Sequence, residues 1–256
     1  MNATASQPEQ RIVETSAGPC RLPIEYRDGT LAALFYRVDP GAASRLVDGT
    51  MFEPLLFGGR ALAILVAFEY RETDIGPYNE IGLAVWTRLR GTRPSRLGLI
   101  LDSRKQAEQA ALIVRLPVTT AIADAAGRQL WGYPKYVAGI KCRFGREPAE
   151  ISLEGEFQLR IPRPKGISLK GMPFVLYSVL NGRVLRTIVE VRHRTRWGLG
   201  RGVRLQITGT GPTADALRQL QLDDRRPMAV FHTDRLRSSL PAGTELGDLR
   251  GKVVES

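Results

Sequence analysis

Between Ile151 and Ile161 the side chains alternate. Ile151, Leu153, Phe157, Leu159 and Ile161 are apolar, and Ser152, Glu154, Glu156, Gln158 and Arg160 among them are polar. A repeat of two puts each set on its own face of an extended chain, so the stretch is expected to be a half-buried strand. Phe174 to Leu180 and Val184 to Val191 flank Asn181-Gly182, the strongest short-range hairpin signal. Ala61 to Glu69, Ile81 to Thr87, Leu97 to Leu101 and Leu112 to Leu116 also read as strands, the first apolar enough to be central in a sheet. Helical signals are few: Pro40 to Leu46, Thr119 to Ala126 capped by Thr119 or Thr120, and Ala214 to Leu220 capped by Thr213. Many strands with three short helices predict a mostly β (α+β), mostly antiparallel fold.

The chain has 256 residues, 43% of them hydrophobic, enough for a full core. Residues 1–18 are polar and expected to be a flexible tail. No Gly/Ser-rich linker interrupts the rest of the chain, so residues 19–256 are expected to form a single domain. The start, MNATASQPEQR, lacks the apolar stretch of a secretion signal, and the longest apolar run, Ala61 to Phe68, is too short to span a bilayer. Two distant cysteines, Cys20 and Cys142, read as free thiols in a cytoplasmic protein. The only histidines are His193 and His232, and there is no CxxC, HExxH or Gly-X-Ser-X-Gly. Metal and serine-hydrolase chemistry are therefore not expected.

Net charge is +11, which suits nucleic acid, an anionic surface or an anionic small molecule. Gly198-Leu199-Gly200-Arg201-Gly202 resembles a phosphate loop but precedes a strand rather than a helix. Arg192, His193, Arg194, Arg196 and Arg201 lie near Trp197, a local basic patch without a recognised nucleic-acid fold. Neither nucleotide nor nucleic acid is the expected partner.

The basic residues are 31 arginines and only six lysines, at 105, 135, 141, 165, 170 and 252. Lys135 falls in GRQLWGYPKYVAGI, Gly127 to Ile140, among aromatic and aliphatic neighbours. Arginine stays protonated, whereas a desolvated lysine can shed its proton and act as a nucleophile toward ketones. By itself the pattern fits equally a lysine laying its stem across Trp131 and Tyr133.

Gly127-Arg128-Gln129 followed by Tyr133-Pro134-Lys135 resembles the signature of the acetoacetate decarboxylase family. Gly76-Pro77-Tyr78-Asn79-Glu80 resembles its Tyr-X-Glu segment, and Phe35-Tyr36-Arg37-Val38-Asp39 its Tyr-Arg-X-Asp strand end. Gly211-Pro212-Thr213 and Leu240-Pro241 match later motifs in the family order. The resemblance implies curved antiparallel sheets forming a cone or barrel around a buried pocket, and a homo-oligomer. It implies a lyase in which Lys135 forms a Schiff base with a keto acid, without a cofactor, and Glu80 serves as acid/base. Arg27, Tyr78, Tyr133 and Arg128 are expected to contact the substrate, with Arg27 nearest to the family arginine that holds the carboxylate. Decarboxylation of a β-keto acid is the expected reaction. Aldol, dehydrating or cyclising chemistry on an α-keto acid, or binding of an anionic small molecule without catalysis, are the alternatives.

Two positions depart from the family pattern. The second lysine that follows the Schiff-base lysine is Tyr136 here, and packing away from Lys135 is its expected role. A second acidic residue about fifteen positions before Glu80 is replaced by Leu65, with Glu69 four residues on. Arg27, Arg37 and Arg128 are candidates to replace the missing cation.

Overall fold

A computed structural model of the chain describes residues 11–93 and 108–246. In chain order the strands are β1 (Arg11–Thr15), β2 (Gly18–Leu22), β3 (Ile24–Val38), β4 (Phe52–Pro54), β5 (Ala61–Thr73), β6 (Tyr78–Leu89), β7 (Gln109–Val118), β8 (Lys135–Val137), β9 (Ile140–Arg143), β10 (Ala149–Leu153), β11 (Phe157–Ile161), β12 (Ser168–Lys170), β13 (Phe174–Leu180), β14 (Arg183–Val191), β15 (Arg194–Gly198), β16 (Arg204–Ile207), β17 (Ala229–Thr233), β18 (Ser238–Leu240) and β19 (Thr244–Glu245). The helices are α1 (Pro40–Leu46), α2 (Ala121–Trp131) and α3 (Pro212–Gln219). The strand expected at Leu97 to Leu101 lies outside the described residues.

Seven strands close into a barrel in the order β3-β18-β14-β13-β7-β6-β5, with β5 returning to β3. An odd number of strands cannot alternate direction all the way round a ring. One contact must be parallel, and it is β7 against β13, with Leu176 beside Ala111. The other six contacts in the ring are antiparallel. The barrel expected from the resemblance is thus present, as a mixed rather than a wholly antiparallel sheet.

The β5 sequence shows why the ring holds. Ala61, Ala63, Leu65 and Ala67 face an outer core shared with Ile151, Leu153, Phe157, Leu159 and Leu205 of a second sheet, β16-β11-β10-β9. Leu62, Ile64, Val66 and Phe68 face the barrel interior. Both faces are buried, so the run is apolar without alternation. The small alanines outside let the second sheet approach, while large side chains fill the bore.

Several local expectations are refined. The single strand expected at Ile151–Ile161 is a hairpin, β10 and β11, with Leu153 opposite Phe157. Gly155 reverses the chain at φ 73°. Leu153 and Phe157 face each other across this turn, so the alternation runs through it and hides it. The Asn181-Gly182 hairpin forms as expected, with both residues at positive φ, 51° and 76°. In the expected tail, residues 11–18 instead supply β1 and its turn into β2, with Val13 opposite Cys20. Helix α1 matches its expected span, and its N-cap Asp39 accepts a hydrogen bond from Ala42 N at 2.8 Å. Helix α2 begins after Thr120, whose side chain makes no capping bond, and runs five residues further than expected, to Trp131. Helix α3 begins at Pro212 rather than after Thr213.

Candidate active site

The turn between α2 and β8 delivers Lys135. Helix α2 ends where Gly132 adopts a left-handed conformation, φ 68°, and its N–H bonds back to Arg128 O. Only glycine fits here. A side chain would be strained in that conformation, and a Cβ would collide with the Val179 carbonyl oxygen. Tyr133 N then bonds Gly127 O at 3.0 Å, and Lys135 N bonds Tyr133 O at 2.8 Å. Trp131 is fully buried, stacks on Tyr133 at 6.2 Å between centroids, and donates Nε1–H to Pro241 O at 2.9 Å. The Gly-Tyr-Pro-Lys and Leu-Pro segments are therefore two sides of one anchor.

Lys135 starts β8 beside Leu116 of β7, and its stem lies against Gly127. A Cβ at residue 127 would meet Lys135 Cε at 2.5 Å and Cδ closer still. Gly127→Ala is therefore expected to push the lysine stem aside while α2, where alanine is the better helix former, stays folded. A displacement of about 1 Å at a reacting group costs on the order of 10²-fold in rate. Steady-state kinetics and circular dichroism on the variant check both halves.

Glu80 comes from β6, between Phe68 of β5 and Val118 of β7. Its Oε2 accepts a hydrogen bond from Lys135 Nζ at 2.7 Å. The two side chains are only 9% and 5% exposed, respectively. Lys135 Nζ also lies 5.7 Å from the centre of the Tyr78 ring, within cation–π range. The pair lines a cavity of about 90 Å³ in the barrel interior, to which all seven ring strands contribute. Its wall is apolar, with the phenols of Tyr26, Tyr70 and Tyr133 and the hydroxyl of Ser238 set into it. Lys135 and Glu80 are the charged residues in that wall among those described.

The phenols stay protonated. Burial, and secondly the negative charge of Glu80, push the Tyr26 and Tyr70 hydroxyls well above the ordinary tyrosine range. Tyr78 is pushed up by burial, then by Tyr26 and Glu80. Burial is the main cause that raises Tyr133. The Tyr26 and Tyr78 hydroxyls bond each other at 3.0 Å. The buried Tyr133 hydroxyl lies near Thr187 without a well-formed hydrogen bond to it, a donor available to a ligand.

The structure thus brings Lys135, Glu80 and Tyr133 into the cavity wall, while Tyr78, expected to contact the substrate, lies beside Lys135 and bonds Tyr26 without lining the cavity. It does not bring in the arginines. Arg27 is half exposed and paired with Asp74 at 2.5 Å. Arg128 points outward with Asp124 3.9 Å away, and Arg37 is exposed. None of the three lines the cavity. Glu69 faces away from the bore and pairs with Arg71 at 2.9 Å, while Leu65 lies in the outer core. Sequence reasoning missed Tyr26, Tyr70, Phe68 and Ser238. Phe68 and Tyr70 share inward parity on β5, a readable signal once the strand is known; Tyr26 and Ser238 need the long-range β3–β18 pairing. Trp197, next to the basic patch, stacks inward on Phe35 and Phe231.

Tyr136 faces the other way. Its hydroxyl meets Thr213 Oγ1 at 2.7 Å and Glu156 Oε1 at 3.2 Å. Buried Glu156 also accepts from Ala214 N at 2.6 Å, capping α3. Burial, and less strongly Glu156, push the Tyr136 hydroxyl up to about 12 despite the opposing bond to Thr213. A lysine at this position would reach Glu156 rather than the cavity. Tyr136→Lys is therefore expected to leave the pH profile of ketone capture within about twofold of the parent at every pH. A profile moved by a full unit would show a charge at 136 felt by Lys135.

A family model described as acetoacetate decarboxylase (ADC) matches residues 10–154, more than half of the chain. Comparison with curated proteins gave no match. Among solved structures, the acetoacetate decarboxylase of Legionella pneumophila superimposes with a TM-score of 0.65 at 15% identity, covering 95% of this chain and 93% of that one. A further acetoacetate decarboxylase structure gives 0.62 at 16% identity, with 88% and 89% covered. The enduracididine biosynthesis enzyme MppR, complexed with the condensation product of pyruvate and imidazole 4-carboxaldehyde, gives 0.59 at 16% identity over 88% and 89%. At such identities the likeness is one of fold.

Proposed function

The chain belongs to the acetoacetate decarboxylase family, and from that premise we propose that it decarboxylates a β-keto acid through an imine on Lys135. The observation that carries this reading is the 2.7 Å contact between Lys135 Nζ and Glu80 Oε2 in the wall of an apolar cavity.

Glu80 takes the proton that Lys135 must lose, and the freed amine adds to the ketone carbon. The adduct regains a proton from Glu80 and expels its oxygen as water, leaving a protonated imine. The bond between the α-carbon and the carboxylate then breaks, and its electron pair moves into the imine. The products are an enamine and carbon dioxide. A proton returned to the α-carbon and a water added to the imine release the ketone and restore Lys135. The imine is itself the electron sink, so these steps need no cofactor.

The apolar wall favours this reaction. A carboxylate carried into it is poorly solvated, and decarboxylation discharges it as neutral carbon dioxide. The charge-dispersed transition state thus suits the site better than the ground state. In an aldol reaction of an α-keto acid the carboxylate persists into the product, and the apolar wall gives no such advantage.

Proton NMR in deuterium oxide tests the reading. The protein is expected to convert 3-oxobutanoate to acetone and then exchange the acetone methyl protons through the enamine. Exchange no faster than in buffer, for every simple ketone tried, would count against the imine. New carbon–carbon bonds from pyruvate and an aldehyde would move the reaction to the aldol class.

A further inference from the structure

A second apolar cavity of about 200 Å³ adjoins the one at Lys135, and Ile64, Ala111, Phe174 and Leu176 line both. It opens at Met172 and Met228, which are 42% and 49% exposed. An aromatic ladder joins the two. Trp197 stacks on Phe231 at 5.0 Å, Phe231 on Phe174 at 6.2 Å, and Phe174 meets Phe68 at 6.0 Å. Phe68 is the cross-strand partner of Glu80. Along β5 the inward residues run from Phe68, beside the pair, to Leu62 in the outer chamber. Six residues of strand span roughly 20 Å.

A compact keto acid would use only the inner cavity and leave this passage without an occupant. We propose that the substrate is a keto acid with an extended, unbranched apolar chain, its carbonyl at Lys135 and its tail reaching toward Met172 and Met228. The proposal rests on the imine reading, and its test separates the two.

Methyl ketones from 2-butanone to 2-undecanone are incubated with the full-length protein and cyanoborohydride, and the adduct is followed by intact mass. In parallel, tryptophan fluorescence is titrated with the same ketones, since Trp86 and Trp197 line the outer chamber. Each methylene buried is expected to lower the half-saturating concentration about fourfold in both readouts until the passage is filled. Ala229→Phe, which narrows the outer chamber only, is expected to flatten that dependence, with adduct on 2-butanone confirming a folded site. If Ala229→Phe does not fold, Met228→Trp at the exposed mouth serves instead.

A fluorescence response that grows with chain length without any adduct would keep the tail passage and defeat the imine. Adducts formed equally at all lengths would overturn the passage. Length dependence that survives in the folded narrowing variant would also overturn it.

Discussion

Lys135→Arg is expected to abolish ketone capture and to lower turnover by on the order of 10⁴-fold or more, the scale on which enzymes lose a covalent nucleophile. Arginine is the informative replacement. It keeps a positive charge against Glu80, whereas Lys135→Ala would leave a buried carboxylate without its partner, at a cost of about 3–5 kcal/mol. A folded Lys135→Arg protein without activity therefore isolates the amine's chemistry from the ion pair's structural role. Guanidinium stays protonated and cannot add to a carbonyl. Thermal denaturation alongside turnover measures both; an Arg variant with more than a few per cent of parental turnover would mean that no imine on this residue is needed.

Glu80→Gln removes the group that exchanges protons with Lys135 while preserving its shape. Proton transfer by a positioned side chain contributes about 10²–10⁴-fold, so turnover is expected to fall by that factor. The borohydride adduct should still form, only more slowly, because the amine itself remains. The two variants thus fail differently: one loses the covalent step, and the other slows the proton transfers around it. Single-turnover kinetics with borohydride trapping distinguish them. Equal loss of trapping in both would place Glu80 in binding or folding instead.

Much of the barrel was legible because its signals are local. Asn181-Gly182 has the two residues that a tight hairpin needs, and the apolar run at Ala61–Phe68 marks a strand buried on both faces. Closure was not legible in the same way. It depends on β18, three residues long, bridging β3 and β14, and on the parallel contact of β7 with β13. Neither has a short-range signature.

In the site, Gly127 accommodates the lysine stem and Gly132 a left-handed cap, roles that depend on neighbours distant in sequence and that the motif did not reveal. Lys135 and Glu80 are 55 residues apart in sequence, and family resemblance brought them together where periodicity did not. The arginines were misleading because a basic residue beside a motif carries no information on direction. Arg128 is on the outward face of α2, and Arg27 points to Asp74 beside a bulge of β3. Tyr136 was readable from strand alternation alone: its neighbour faces inward, so it faces out, toward Glu156.

Of the six lysines of this chain, Lys135 is the one proposed to form an imine. Borohydride reduction in the presence of 3-oxobutanoate, followed by proteolysis and peptide mass mapping, tests it directly. A single reduced adduct is expected on the peptide containing Lys135, prevented by Lys135→Arg. An adduct spread over the surface lysines, or absent from Lys135 while substrate is still decarboxylated, would contradict it.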